Sequence, residues 1–162
     1  MLYWWKSLTE IPDGLFDSAL TLAGNQTVSF VNTFAGCTSL TSIPENLFKN
    51  GTGKFIGTFA DCTGITEIPS TLFQNETNGA ENKFARTFAG CTGITEIPQS
   101  LFTTITGSAE SGMFNSTFDA CSGLTGSIPE NLFGRTLPDG TYAGISGAPA
   151  SYMFASTFSG CS

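Results

Sequence analysis

A repeat solenoid is the fold class the sequence predicts, a mixed α/β stack in which each unit holds a short helix and a short parallel β segment. Three observations predict it. The phrase "TFAGCTSLTSIPENLF" at 33–48 returns with small changes at 58–73, 87–102 and 117–133. All 15 phenylalanines fall into three columns of that phrase, and all five cysteines fall into one. The text between copies varies freely in length and composition. Self-similarity at such a period marks units that bury their apolar faces on one another.

The elements follow from the spacing. The phrase reads F-x-x-T-F-x-x-C-[TS]-[SG]-[LI]-T-x-I-P-x-x-L-F, with one extra residue near Gly126 in the last full copy. Its first ring column is Phe30, Phe55, Phe84, Phe114 and Phe154. The second is Phe34, Phe59, Phe88, Phe118 and Phe158. The third, closing the phrase, is Phe16, Phe48, Phe73, Phe102 and Phe133. The first Phe, the Thr, the second Phe and the Cys stand at i, i+3, i+4 and i+7, so "FVNTFAGC" and its copies predict a two-turn helix with a Phe-Phe-Cys stripe facing inward. A small-residue turn follows, as at Thr63-Gly64. "LTSIP" or "ITEIP" then predicts a short β segment, rich in β-branched residues and stopped by proline. Proline also suits the first position of a turn, so "PENLF" is expected to turn and point Leu and Phe back to the core. Each Phe is expected to pack on its counterpart in the next copy, which adds about 0.5–1.5 kcal/mol per aromatic pair beyond area burial.

The inserts between the third and first ring columns are 13, 6, 10, 11 and 20 residues long and rich in Gly, Asn, Thr and Ser. They predict loops on one face, which is often the binding face in stacked-repeat folds. The whole chain, 1–162, reads as a single solenoid domain. It holds a partial repeat over 7–29, full repeats over 30–54, 55–83, 84–113 and 114–153, and a half repeat over 154–162. The frame is broken at both ends, and "LYWW" near the start reads as a small aromatic cap. The expectation is a segment of a longer repeat protein, or a component of a virion.

The joining of Phe-x-x-Cys to Leu-x-x-Ile-Pro resembles a leucine-rich repeat, and most closely the BspA-like, Treponema pallidum-type class. Residues 33–44 carry the pattern well, as do 58–69 and 87–98. Two features depart from it: the repeats run from 25 to 40 residues, and Leu-Phe plus an open loop follows the proline where a second strand is expected. The resemblance implies a leucine-rich-repeat-like solenoid in an extracellular or cell-surface protein, acting as an adhesin-like module on a protein or glycan partner. It carries over no specific binding residue.

Composition narrows the function classes. Net charge is −7, and the six basic residues are scattered. Nucleic acid needs clustered Lys and Arg, so it is not an expected partner. No apolar run approaches the ~20 residues of a membrane span, so membrane insertion is not expected. The first residues lack a basic region followed by an apolar one, so they do not read as a signal peptide. Histidine is absent, there is no P-loop, and no GxGxxG follows a strand. No enzyme and no cofactor are expected.

The candidate residues sort by column. Cys37, Cys62, Cys91, Cys121 and Cys161 are spaced 25, 29, 30 and 40 residues apart. Zinc sites favour C-x₂₋₄-C pairs, so a metal is not expected. An odd count disfavours a disulfide framework, although stacking would not forbid a pairwise bridge. A cysteine ladder of buried thiols is the favoured reading. Cys37, Cys62, Cys91 and Cys121 form the structural set with Phe34, Phe59, Phe88 and Phe118. Thr33, Thr58, Thr87, Thr117 and Thr157 are expected to bond backbone carbonyls or the neighbouring turn. Glu10, Glu67 and Glu96 share a position with Ser42 and Ser127. Stacked glutamates there would meet a basic partner or a cation, but solvated surface is favoured. Asn25, Asn50, Asn75 and Asn115 begin N-x-[ST] sequons. The longest insert carries Leu137, Tyr142, Ile145, Tyr152 and Met153, which either serve recognition or fold back on the last repeat. Glu67, Glu96, Tyr142 and Tyr152 are the binding candidates. The alternative role is structural, with copies stacking head to tail through uncapped ends.

Overall fold

The phrase F-x-x-T-F-x-x-C is not helical. In this computed structural model, which describes residues 5–23, 26–49 and 52–161, it runs as chained four-residue turns. In the first copy the Thr33 amide bonds the Phe30 carbonyl at 3.2 Å, and the Cys37 amide bonds the Phe34 carbonyl at 3.1 Å. The third residue of each turn is left-handed: Asn32 has φ 53° and Gly36 φ 74°. That is the geometry of a type II turn, which needs positive φ at its third position. The later copies repeat it at Gly57 and Asp61, Arg86 and Gly90, Ser116 and Ala120, and Ser156 and Gly160. Glycine, Asn and Asp enter this region most readily, and they hold many of these positions. A left-handed residue every fourth position prevents the i→i−4 bonds of an α-helix. The expected two-turn helix is therefore corrected to a turn ribbon.

The turns leave every second amide pointing along the stack, and each finds the next copy. Phe30, Asn32, Phe34 and Gly36 donate to Lys54, Ile56, Thr58 and Ala60 at 2.7–2.8 Å. Phe55, Gly57, Phe59 and Asp61 donate likewise to Lys83, Ala85, Thr87 and Ala89 at 2.7–2.9 Å. The series continues from Phe84 to Gly90 and from Phe114 to Ala120. Successive copies thus lie parallel and in register. The backbone groups a helix would satisfy internally are satisfied here by the neighbouring copy.

The same register stacks the rings. First-column centroids are 5.4–5.6 Å apart, and second-column centroids 5.5–5.7 Å. Third-column rings stack at 5.7–6.1 Å. Each first-column ring also meets third-column rings at 4.7–5.0 Å, tilted. The core is one continuous column with the Phe stacks at its centre, flanked by the Cys, Leu and Ile columns.

The second half of the phrase also departs from expectation. "LTxIP" forms no strand. One cross-copy backbone bond runs there, from the Thr125 amide to the Thr95 carbonyl at 3.3 Å. The following proline does open a turn, with Leu47 bonded to Pro44, Leu72 to Pro69 and Leu101 to Pro98. Regular secondary structure sits in the inserts. The first insert, expected to be loop, contains α1 (Asp17–Ala23), whose Leu20 is buried. Strands β1 (Val28–Ser29) and β2 (Gly53–Lys54) pair in parallel just before the first-column Phe. β3 (Gly107–Ser108), β4 (Gly134–Thr136) and β5 (Tyr142–Ser146) form a second sheet ordered β3-β5-β4. β4 and β5 make an antiparallel hairpin. Its tip is closed by Asp139, whose Oδ1 accepts from the Thr141 amide at 2.9 Å and hydroxyl at 2.7 Å.

Candidate functional site

The Thr and Cys columns are hydrogen-bond donors between copies. The hydroxyls of Thr58, Thr87, Thr117 and Thr157 donate to the carbonyls of Phe30, Phe55, Phe84 and Phe114, each at 2.9 Å. The thiols of Cys62, Cys91 and Cys121 donate to Phe34, Phe59 and Phe88 at 3.0 Å, and Cys161 to Phe118 at 3.2 Å. Each of these carbonyls also accepts an amide of its own turn. Both lone pairs are therefore used inside a dry core, where an unmade bond is costly. None of the five cysteines is in a disulfide. Burial raises each of them, Cys62 and Cys121 to about 12. They stay protonated at neutral pH and are poor nucleophiles.

Sequence reasoning missed a buried ion pair in the third insert. Lys83 Nζ lies 2.6 Å from Glu76 Oε2, with side chains 5% and 1% exposed. Glu76 Oε1 accepts the Gly53 amide at 2.9 Å. Lys83 donates to the Asn78 carbonyl at 2.7 Å and lies 5.8 Å from the Phe84 ring centroid. Burial raises the Glu76 carboxyl, and the Lys83 charge only partly offsets it. The pair ties the second insert to the third. Its one sequence signal is position: Lys83 precedes a first-column Phe, where Met113 and Met153 are buried in later copies.

The expected binding residues lie in two places. Glu67 and Glu96 are exposed, as are Glu10, Ser42 and Ser127. Glu67 lines a shallow pocket of about 200 Å³ with Ser42, Glu45 and Pro69. Among the described residues no group of three or more Cys, Asp and Glu is placed to hold a metal. Tyr142 and Tyr152 are 60% and 74% exposed, whereas Met153 from the same insert is buried. The long insert therefore divides, its tyrosines outward and Leu137, Ile145 and Met153 at least half-buried. Tyr142 is held on β5, and its hydroxyl donates to the Phe133 carbonyl at 3.3 Å. It borders an apolar pocket of about 210 Å³ with Phe133, Ile145, Pro149 and Phe154.

The two ends of the stack differ. Phe30 and Phe34 are buried, but Phe154 is 45% exposed and Phe158 half-buried. Among the sequons, the Asn75 side-chain amide is engaged with the Lys49 carbonyl, and Asn115 is half-buried. Asn25, Asn50 and the "LYWW" stretch up to residue 4 lie outside the described residues. Among the described residues no helix is long and apolar enough to cross a membrane. Comparison of the chain with models of known protein families, with curated proteins and with solved structures gives no match.

Proposed function

We propose that the chain is a non-enzymatic binding module, a leucine-rich-repeat-like solenoid of the BspA-like class from a surface or secreted protein, recognising a protein or glycan partner. The observation that carries this reading is the rim of the long insert. Tyr142 stands exposed on a three-stranded sheet, fixed by its bond to Phe133, beside an apolar pocket. A rigid aromatic with one polar end contributes binding area at low entropic cost. The fixed phrase makes the scaffold, and the variable inserts make the recognising edge. The phrase pattern supports the family. The ladder weighs on the other side, because it runs through the Phe-rich half rather than through "LTxIP".

A panel of immobilised glycans and extracellular proteins tests the reading. A genuine partner should lose about tenfold or more in affinity on Tyr142→Ala, a hot-spot-sized effect, with an unchanged melting temperature. Absence of any binder, or equal binding by the Tyr142→Ala and Tyr152→Ala variants, would sink it. Assembly head to tail is the weaker reading. It needs two open end faces, and Phe30 and Phe34 are covered at one of them.

A further inference from the structure

Glu76 and Lys83 hold an acid and an amine in contact, away from water. Nζ is 2.6 Å from Oε2, and both side chains are buried. The contact lies off the line of a hydrogen bond, so Oε2 has no aligned donor among the described residues. Oε2 is one bond from Cδ, which puts Nζ within about 3.5 Å of that carbon, the range of a near-attack contact. The remaining neighbours suit an amide better than an ion pair. Oε1 accepts the Gly53 amide at 2.9 Å, and Nζ donates to the Asn78 carbonyl at 2.7 Å. An amide needs one donor for its oxygen and one acceptor for its N–H, and the site supplies both. A carboxylate and an ammonium each have more hydrogen-bonding capacity than these partners fill. Burial also favours the neutral acid, and two buried charges are costly to keep. The position itself accepts an apolar residue, since Met113 and Met153 are buried there in later copies.

We propose that Lys83 and Glu76 condense, once the chain has folded, to an intramolecular isopeptide bond between Nζ and Cδ. The reaction balances within the pair. One proton passes from the ammonium to Oε2, leaving a neutral amine and a carboxylic acid. The Nζ lone pair attacks Cδ and forms the new bond. The Cδ–Oε2 bond breaks, and Oε2 departs as water with a second Nζ proton. The third proton stays on the amide nitrogen and remains directed at Asn78. Oε1 becomes the amide oxygen. The Gly53 N–H already holds it, and stabilises the negative charge it carries in the tetrahedral intermediate. No oxidant, reductant or second protein is required. The newly folded chain holds the ion pair, and the amide is the form it matures into. The product closes a covalent ring over residues 76–83 and leaves no charge in that part of the core. This inference stands independently of the partner read at the Tyr142 rim.

Mass spectrometry tests it. The 162-residue chain is folded, incubated at neutral pH, then denatured and weighed. A species one water lighter than the sequence is expected, in a fraction that grows with incubation, and the condensed chain should melt at higher temperature. Trypsin does not cleave after an acylated lysine. Residues 55–86 should therefore appear as one peptide lacking a water, with no backbone fragments separated between 76 and 83. Lys83→Met should keep its full mass, and so should the unaltered chain held in urea throughout, a control that does not depend on any variant folding. Full mass for the folded chain after prolonged incubation overturns the proposal and leaves the pair as an ion pair. A water loss that maps elsewhere, such as to Asp139-Gly140, overturns it too. Equal loss in urea would also contradict it, because the fold would not be what drives the reaction.

Discussion

The single hydroxyl proton of Thr87 is shared between two carbonyls, Phe55 at 2.9 Å in the preceding copy and Phe84 at 2.8 Å in its own turn. Thr87→Val keeps the shape and removes that donor. It should cost about 0.5–1.5 kcal/mol, the net worth of one hydrogen bond, because the two carbonyls keep the amides of Thr58 and Thr87. Thr95→Val, on an exposed threonine, should stay within about 0.5 kcal/mol. Urea unfolding of the pair measures the difference. The glycine column is as specific. A Cβ on Gly93 would meet the Ile65 and Thr63 carbonyls at 2.6 Å, while one on Gly126 meets nothing within 4 Å. Gly93→Ala should therefore destabilise by about 1–3 kcal/mol, and Gly126→Ala should be near neutral by the same assay. The thiols set an alkaline limit. Folding raises Cys62 and Cys121 from 9.0 to about 12, so between these values the unfolded chain releases protons that the folded chain keeps. Their contribution is intact below pH 9 and is lost as pH rises toward 12. Melting temperature should fall over that range, and less steeply for Cys62→Ala. The burial of these thiols was legible from their single column. Their donor role was not, because it depends on where the neighbouring copy's carbonyls point.

At the scale of elements, the turn ribbon shows where sequence reading fails. Over eight residues a period of four and a period of 3.6 place the same side chains inward, so Phe30, Thr33, Phe34 and Cys37 fit both. The distinguishing signal was a poor helix former before the Thr or Cys in several copies, such as Asn32, Gly36 and Gly57, although Arg86 and Ala120 stand at the same positions elsewhere. The proline turns were legible because ring closure fixes φ locally. The strand expected in "LTxIP" was not, because β propensity reflects packing context more than backbone preference. The Glu76–Lys83 pair joins two inserts and carries its own expectation. Glu76→Gln leaves the Lys83 ammonium buried and unpaired, and should cost about 3–5 kcal/mol. Adding Lys83→Met should recover most of the loss, because the Gln oxygen still accepts from Gly53 and no buried charge remains. A double-mutant cycle by chemical denaturation checks both.

At the scale of the molecule, stability is spread along the stack, and each copy depends on its two neighbours. Phe88 stacks on Phe59 at 5.7 Å and on Phe118 at 5.6 Å with no exposed surface. Phe88→Ala should cost about 3–5 kcal/mol, whereas Tyr152→Ala, at an exposed side chain, should leave melting nearly unchanged. Which residues form the core was legible at this scale, since three Phe columns and one Cys column have no other use in a sparsely charged chain. The half-exposed Phe154 was not legible, because its exposure depends on which rings of neighbouring copies reach it. The most direct test of the stack is site-resolved native-state hydrogen exchange. The account predicts slow exchange at the cross-copy donors Phe55, Gly57, Phe59, Phe84, Arg86 and Phe88, and fast exchange at the matching Phe154, Ser156 and Phe158, which have no backbone acceptor among the described residues. Equal protection of the matching amides in the last copy, or fast exchange throughout the interior ones, would contradict it.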